Sequence, residues 1–189
     1  VLRAARLADR RPHEVLFPAD YDAEFADIFD RDRPPVTPTV YLCAQERCHG
    51  LTGWPDAEPV FAMANAPAEP EHGSRAPEVW TTLEAAMEHR IRAAGRWSDG
   101  DALVWRRTPA DLAADFPGSR GAIYGAASND RFAAFKRPPN RVRGMRGLYL
   151  ASGSAHPGGG LPMAGFSGLA AADCLGEDLG LSTPLRSPG

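Results

Sequence analysis

An α+β fold is what this sequence predicts, on three observations. Short β-branched and aromatic runs such as Thr39-Val-Tyr-Leu-Cys43 stand between prolines and glycines and read as strands. Val79, Leu83, Met87 and Ile91 recur at every fourth position, which is a helix of about four turns. From Gly147 to Met163 a short apolar run leads into a glycine turn and then into small residues, a strand–turn–helix order.

Taken along the chain, Val15-Leu-Phe17 is the first apolar run and reads as a strand. Tyr21, Phe25, Ile28 and Phe29 fall at helical spacing with acids between them, a small amphipathic helix that Pro34, Pro35 and Pro38 end. Thr39–Cys43 and Pro59–Asn65 are strands that can pair across the loop from Gly50 to Pro55. Proline and glycine between Ala66 and Pro77 mark a long loop, and Gly95 ends the four-turn helix. Ala102–Thr108 alternates in part and reads as a strand. Thr108, Pro109 and Asp111 then start a helix: a capping hydroxyl, a first-turn proline and an acid near the positive helix end. Leu148–Ala151 predict a short buried strand. Gly158, Gly159 and Gly160 let the backbone take φ > 0 and come close to a neighbour. Ala164–Ala172 continue as a helix whose N-terminus opens at that turn. Its unpaired N–H groups and partial positive charge suit an anionic or electron-rich ligand, and a tight structural turn is the alternative. Ser182–Gly189, with two prolines and a glycine, reads as a frayed tail.

The 189 residues suffice for one sizeable core or for parts of two. A net charge of −3 gives no electrostatic case for nucleic acid. The clusters Arg3–Arg11 and Arg137–Arg146 read as solvated faces. Cys43, Cys48 and Cys174 lack the spacing of a zinc site, so no metal is expected, and this cysteine usage suits a reducing cytoplasm. No run reaches the roughly eighteen apolar residues of a spanning helix.

Leu148-Tyr-Leu150 followed by Gly153-Ser-Ala-His-Pro-Gly-Gly-Gly-Leu-Pro162 resembles the C-terminal flavin-binding signature of the bacterial-type carotenoid desaturases, the phytoene desaturase family. Gly121-Ala-Ile-Tyr-Gly125 with Phe135-Lys-Arg-Pro138 and Asn140-Arg141 is similar to that family's Gly-x-Ile-Tyr-Gly…Arg-Pro…Asn-Arg block. Thr108–Phe116 matches its Thr-Pro…Asp-Phe segment. Tyr21–Phe29 and Pro38–Gln45 look most like the branch acting on 1-hydroxycarotenoids, the hydroxyneurosporene or methoxyneurosporene desaturases. Ser152 stands where family members usually carry a glycine.

The resemblance implies the C-terminal part of a two-domain FAD-binding flavoprotein. Residues 1–100 would be part of an antiparallel-sheet substrate-binding domain and residues 101–144 a bridge. Residues 145–181 would return to the Rossmann-like FAD domain as a strand and a helix, before a flexible tail at 182–189. Family members begin with a Gly-x-Gly-x-x-Gly dinucleotide fingerprint that this sequence does not contain. The N-terminal Rossmann part is therefore an expected partner lying outside the chain, and the fragment by itself is expected to be inactive. Standing without that neighbour, the Leu161–Leu175 helix is expected to expose apolar surface.

By the same resemblance the cofactor is FAD. Its candidate contacts are Gly153, Ser154, His156, Pro157, Gly158, Gly159, Gly160, Leu161, Pro162 and Met163, and two roles stay open for His156: ordering the turn or touching flavin or substrate. The implied reaction introduces a C=C bond into a carotenoid, in 3,4-desaturation of a 1-hydroxy- or methoxy-neurosporene type substrate. Phe61, Met63, Tyr124, Phe132 and Phe135 are candidates for an apolar tunnel wall, and each also suits ordinary core. No residue stands out as a general base; Asp111, Asp115 and Asp130 read as cap or surface acids. A carotenoid cis–trans isomerase, a retinol saturase or an inert fragment are the alternatives. A bilayer-soluble substrate implies a cytoplasmic, peripherally membrane-associated enzyme, for which Lys136–Arg146 and Tyr21–Phe29 offer lipid contacts.

Overall fold

The structure is a computed structural model and describes residues 1–50, 54–123, 132 and 136–181. Tyr124 and Phe135, with Asp130 and the tail from residue 182, lie outside the described residues. The chain divides into two compact units, Val1–Ala122 and Ile123–Gly189.

Among its described residues the first unit carries five short strands and four helices in the order β1 (Leu2–Ala5), β2 (His13–Leu16), α1 (Tyr21–Phe25), β3 (Val40–Cys43), α2 (Glu46–His49), β4 (Ala57–Ala64), α3 (Pro77–Ala93), β5 (Ala102–Leu103) and α4 (Pro109–Asp115). A π-helical turn, Ala26–Asp30, extends α1. The strands form one sheet in the order β2-β3-β4-β1-β5, and every pairing is antiparallel. The mixed helix and antiparallel sheet agree with the α+β expectation.

β4 organises the sheet. Its first half pairs with β1, from Leu2↔Val60 to Ala5↔Ala57, and its second half with β3, from Val40↔Ala64 to Cys43↔Phe61. Residues directly opposite one another share a face. Leu2, Ala4, Val40, Leu42, Val60 and Ala62 thus make one face, and Ile91, Met87 and Trp97 pack against it. The four-turn helix predicted from Val79 to Ile91 is α3, and it buries Trp80, Leu83 and Ile91. The other face, with Val15, Tyr41, Phe61 and Met63, is not sealed: Val15, Phe61 and Met63 are exposed.

Three sequence expectations need correction. β1 sits inside the sheet although its four-residue run carried no recognisable strand signal; Val104 and Trp105 amides bond back to the Val1 carbonyl beside it. The strand expected over Ala102–Thr108 shrinks to Ala102–Leu103, because it is an edge strand held by β1 alone, and Val104 and Trp105 are exposed. Arg10, read within a solvated cluster, is buried. Its Nε lies 3.0 Å from Oε1 of Glu58, a fully buried carboxylate on the core face of β4. Arg47 supplies that carboxylate with hydrogen bonds at 2.7 and 2.8 Å. Burial alone raises the Glu58 carboxyl, yet Arg47 and the charge of Arg10 outweigh it, and the net direction is down.

α1 is amphipathic with its polarity reversed. Glu24 and Asp27 point inward and are buried, whereas Tyr21, Phe25 and Phe29 are exposed. Glu24 accepts from the Thr39 amide at 3.0 Å and from its hydroxyl, at the start of β3. Asp27 accepts from Arg31, from Arg33 and from the Val36 amide. Buried carboxylates are tolerated because each is paired and hydrogen-bonded. The loop after β4 is fixed in the same way: buried Glu69 accepts from Trp80 Nε1 at 3.1 Å and from the Arg75 amide at 2.7 Å.

α4 starts as its sequence predicts. Thr108 and Asp111 form a reciprocal capping box, and the Thr108 hydrogen bonds hold the Asp111 carboxyl below its usual value. Gly121, the first residue of the Gly-x-Ile-Tyr-Gly block, has φ +75°, and a Cβ there would lie 2.1 Å from the Pro109 carbonyl oxygen. Its glycine is required by close backbone packing against α4.

Candidate functional site

The second unit is built on α5, Leu161–Asp178. The expected helix is present and longer than its small-residue run. The buried strand expected at Leu148–Ala151 is not: a single antiparallel bridge, Arg141↔Tyr149, replaces it, and Leu148 is exposed. Among the described residues of this unit no second strand lies beside the run to complete a ladder. Instead the hydrogen bonds Leu150 N–H to Asn140 O (2.8 Å) and Val142 N–H to Leu148 O (3.1 Å) pair it with the preceding loop.

The glycine turn follows. Ser152 O accepts from the Ala155 amide, and Ser152 Oγ accepts from the Ser154 amide at 3.1 Å. The serine at the family's glycine position is therefore an active turn former. Gly158 is buried with φ +147°, and a Cβ there would strike Arg137 Nη1 at 2.1 Å. Its missing side chain makes room for the Arg137 guanidinium. Gly160, φ +91°, is the N-cap of α5 and supplies no side-chain cap; Ala164 N–H closes the first turn on its carbonyl at 2.9 Å. The first turn contains no acid.

Of the candidate flavin contacts, Ser154, His156, Gly160, Leu161, Pro162 and Met163 are exposed, Gly153, Pro157 and Gly159 half-buried, and Gly158 buried. The turn is ordered through the main chain of His156: its amide donates to Pro138 O at 3.0 Å and its carbonyl accepts from Asn140 at 2.9 Å. The apolar face of α5 is open: Leu161 is 91% exposed, and Phe166, Leu169 and Leu175 are exposed too.

These residues fit a flavin. A positive helix end with neither a side-chain cap nor an acid beside it, opening at a glycine whose missing Cβ faces nothing within 4 Å, suits a large electron-rich ring system.

Of the substrate candidates, Phe61 and Met63 share the open face of β4, opposite Cys43 and Tyr41 of β3. Phe132 is exposed in the second unit. On the same sheet face Tyr41 Oη lies 2.7 Å from His13 Nδ1, and Arg3, opposite Pro59, adds a charge at its far end. A cleft lined by Arg11, His13, Glu14, Val15, Leu16, Ala94 and Arg96 is polar and includes none of the candidates.

Sequence reasoning missed Asn140, Ser167 and Arg141 as structural parts of this unit. Arg141, read within a solvated basic cluster, bonds to Cys174 O, Glu177 and Asp178, and Tyr149 Oη donates to Asp178 at 2.6 Å. Those two partners hold Asp178 below, and Asp178 holds Tyr149 above, the usual value. The Asn-Arg dipeptide was the available signal, but a polar pair in a loop has no periodicity to reveal its partners.

No family model matches the chain. Individual relatives do. The chain is 38% identical over 167 residues to a hydroxyneurosporene desaturase of Rubrivivax gelatinosus, covering 86% of this chain and 31% of that protein. It is 38% identical over 171 residues to the hydroxyneurosporene desaturase of Rhodobacter capsulatus, covering 90% and 33%. A 1-hydroxycarotenoid 3,4-desaturase of a Flavobacterium species is 33% identical over 175 residues, covering 86% and 33%. The chain, of which these matches take in nearly all, spans about a third of the length of such proteins, and over that third it is similar in sequence to the carotenoid desaturases.

Proposed function

We propose that this chain is the C-terminal third of an FAD-dependent carotenoid desaturase. The whole enzyme introduces a C=C bond into a carotenoid, the 3,4 bond of a 1-hydroxy- or methoxy-neurosporene type substrate. The names of the relatives support the reaction class, and the turn from Gly153 to Met163 is the observation that carries the cofactor reading.

The chemistry FAD supplies when bound is acceptance of the two electrons removed from adjacent carbons. The chain's own part is binding and electrostatics. Gly153 to Met163 hold the flavin through main-chain groups, and the N-terminus of α5 favours negative charge there. His156 contributes its backbone to the turn, which leaves its exposed ring for flavin or substrate. Phe61 and Met63, with Val15 and Tyr41, form an apolar wall that excludes water from a hydrocarbon substrate offering few polar handles. The N-terminal Rossmann part of the same protein completes the FAD site.

The substrate comes from the lipid phase, and the membrane contact is the aromatic row Phe17, Tyr21, Phe25 and Phe29. Successive ring centroids lie 5.5, 5.1 and 5.7 Å apart, and all four rings are exposed. Exposed aromatic side chains suit the interfacial zone of a bilayer. No helix among the described residues is long and apolar enough to cross a membrane.

Replacing Gly159 by Trp in the full-length protein tests the cofactor site. The expected result is loss of most co-purifying FAD with the melting temperature retained. Undiminished FAD in a folded variant overturns the assignment.

A further inference from the structure

We propose that Asn140 is the positioning residue of the glycine turn, holding the first half of α5 in register with the flavin. The inference rests on the FAD reading above and deepens it.

The Asn140 side chain is buried, and its single Nδ2 meets four acceptors. They are Leu150 O at 2.9 Å, His156 O at 2.9 Å, Ser167 O at 3.1 Å and Ser167 Oγ at 2.9 Å. Three of the four are carbonyls, which only accept, so the amide nitrogen and not its oxygen faces them. Leu150 and His156 bracket the turn that begins at Ser152. Ser167 lies two turns into α5 and is fully buried. One side chain thereby joins the strand-like run, the far side of the turn and the helix.

Ser167 completes the clasp: its Oγ also accepts from the Ser152 amide at 3.2 Å. The Asn140 main chain takes part as well, through its carbonyl and the Leu150 amide. The helix end has no side-chain cap of its own, so Gly160 and Leu161 are located by what holds the two segments on either side. Two amide hydrogens shared among four acceptors set that separation, with the Ser152–Ser167 hydrogen bond beside them. Any group that reads the α5 N-terminus therefore depends on an amide about ten residues before the turn and remote from the exposed surface.

The test uses the full-length holoenzyme with Asn140→Asp and Ser167→Ala. Asn140→Asp keeps the shape but turns an acceptor toward three carbonyls and a hydroxyl. A core variant of the other unit, Val60→Ala, controls for general destabilisation. The readouts are the FAD dissociation constant, the visible flavin spectrum, and amide exchange at Leu150, Ser152, Ala155, His156 and Ala164. Both site variants are expected to weaken FAD binding by about tenfold or more, a loss of about 1.4 kcal/mol. Both should shift the flavin bands and speed exchange at those amides, while Val60→Ala does none of these. Wild-type FAD affinity and spectrum in folded Asn140→Asp overturn the proposal. If Asn140→Asp fails to fold, Ser167→Ala decides by the same criteria. If the wild-type protein holds no FAD, the cofactor reading fails; faster exchange at the five amides then supports the positioning role and unchanged exchange refutes it.

Discussion

Asp27 receives hydrogen bonds from Arg33, Arg31 and the Val36 amide, and they hold its carboxyl down to about 2 from an ordinary 3.8. A native value below the unfolded one adds stability that is full above the ordinary value. That stability is lost as pH falls through the native one. Acidification from pH 3.8 toward about 2 is therefore expected to lower the melting temperature of the wild-type protein more steeply than that of Asp27→Asn, followed by near-ultraviolet circular dichroism. Equal slopes for the two proteins would contradict the role of this carboxylate. The acids of Tyr21–Phe29 were legible in the sequence as the polar side of an amphipathic helix. That they face inward was not, because their partners Thr39, Arg33 and Val36 follow in the next segment and no spacing rule joins them. Arg10 and Glu58 teach the same lesson: 48 positions separate them, and no spacing rule joins a connecting-loop arginine to a carboxylate of β4. Gly121 and Gly158 were legible as glycines needed somewhere; which carbonyl or guanidinium a Cβ would strike was not.

Among the elements, those with strong local signals appeared where expected. The period-four run became α3, the Thr-Pro-x-Asp start became a capping box, and the glycine turn opened α5. Strands fared unevenly: β3 and β4 stand and pair where expected, but others do not. β1 was missed, β5 is shorter than its run, and Leu148–Ala151 stays a single bridge, because strand formation follows from pairing more than from local preference. The reversed α1 turns these facts into a prediction about membranes. With both carboxylates tucked inward, its aromatic row faces solvent, and each half-exposed ring offers on the order of 1 kcal/mol of apolar burial. Phe25→Ser combined with Phe29→Ser is expected to reduce co-sedimentation of the full-length protein with phosphatidylcholine vesicles about tenfold or more. Vesicle binding equal to wild type would show that the row faces something other than lipid.

At the scale of the whole molecule, the two units divide the proposed labour. The first presents an antiparallel sheet with one packed face and one open apolar face bearing Phe61 and Met63. The second presents a helix N-terminus framed by glycines and clasped by Asn140. The glycine turn was legible in the sequence because glycines report backbone directly, whereas its reading as a flavin segment came from the resemblance of the whole run. The substrate wall was legible only as scattered aromatic residues, since strand register alone puts Phe61 and Met63 on one face. The chain spans about a third of its relatives' length, and α5 keeps Leu161, Phe166, Leu169 and Leu175 exposed. The most direct measurement expresses the full-length protein in membranes containing a 1-hydroxy-neurosporene type carotenoid and records the mass of the product. The account predicts bound FAD and a product lighter by two hydrogens, whereas bound FAD with a product of unchanged mass would contradict it.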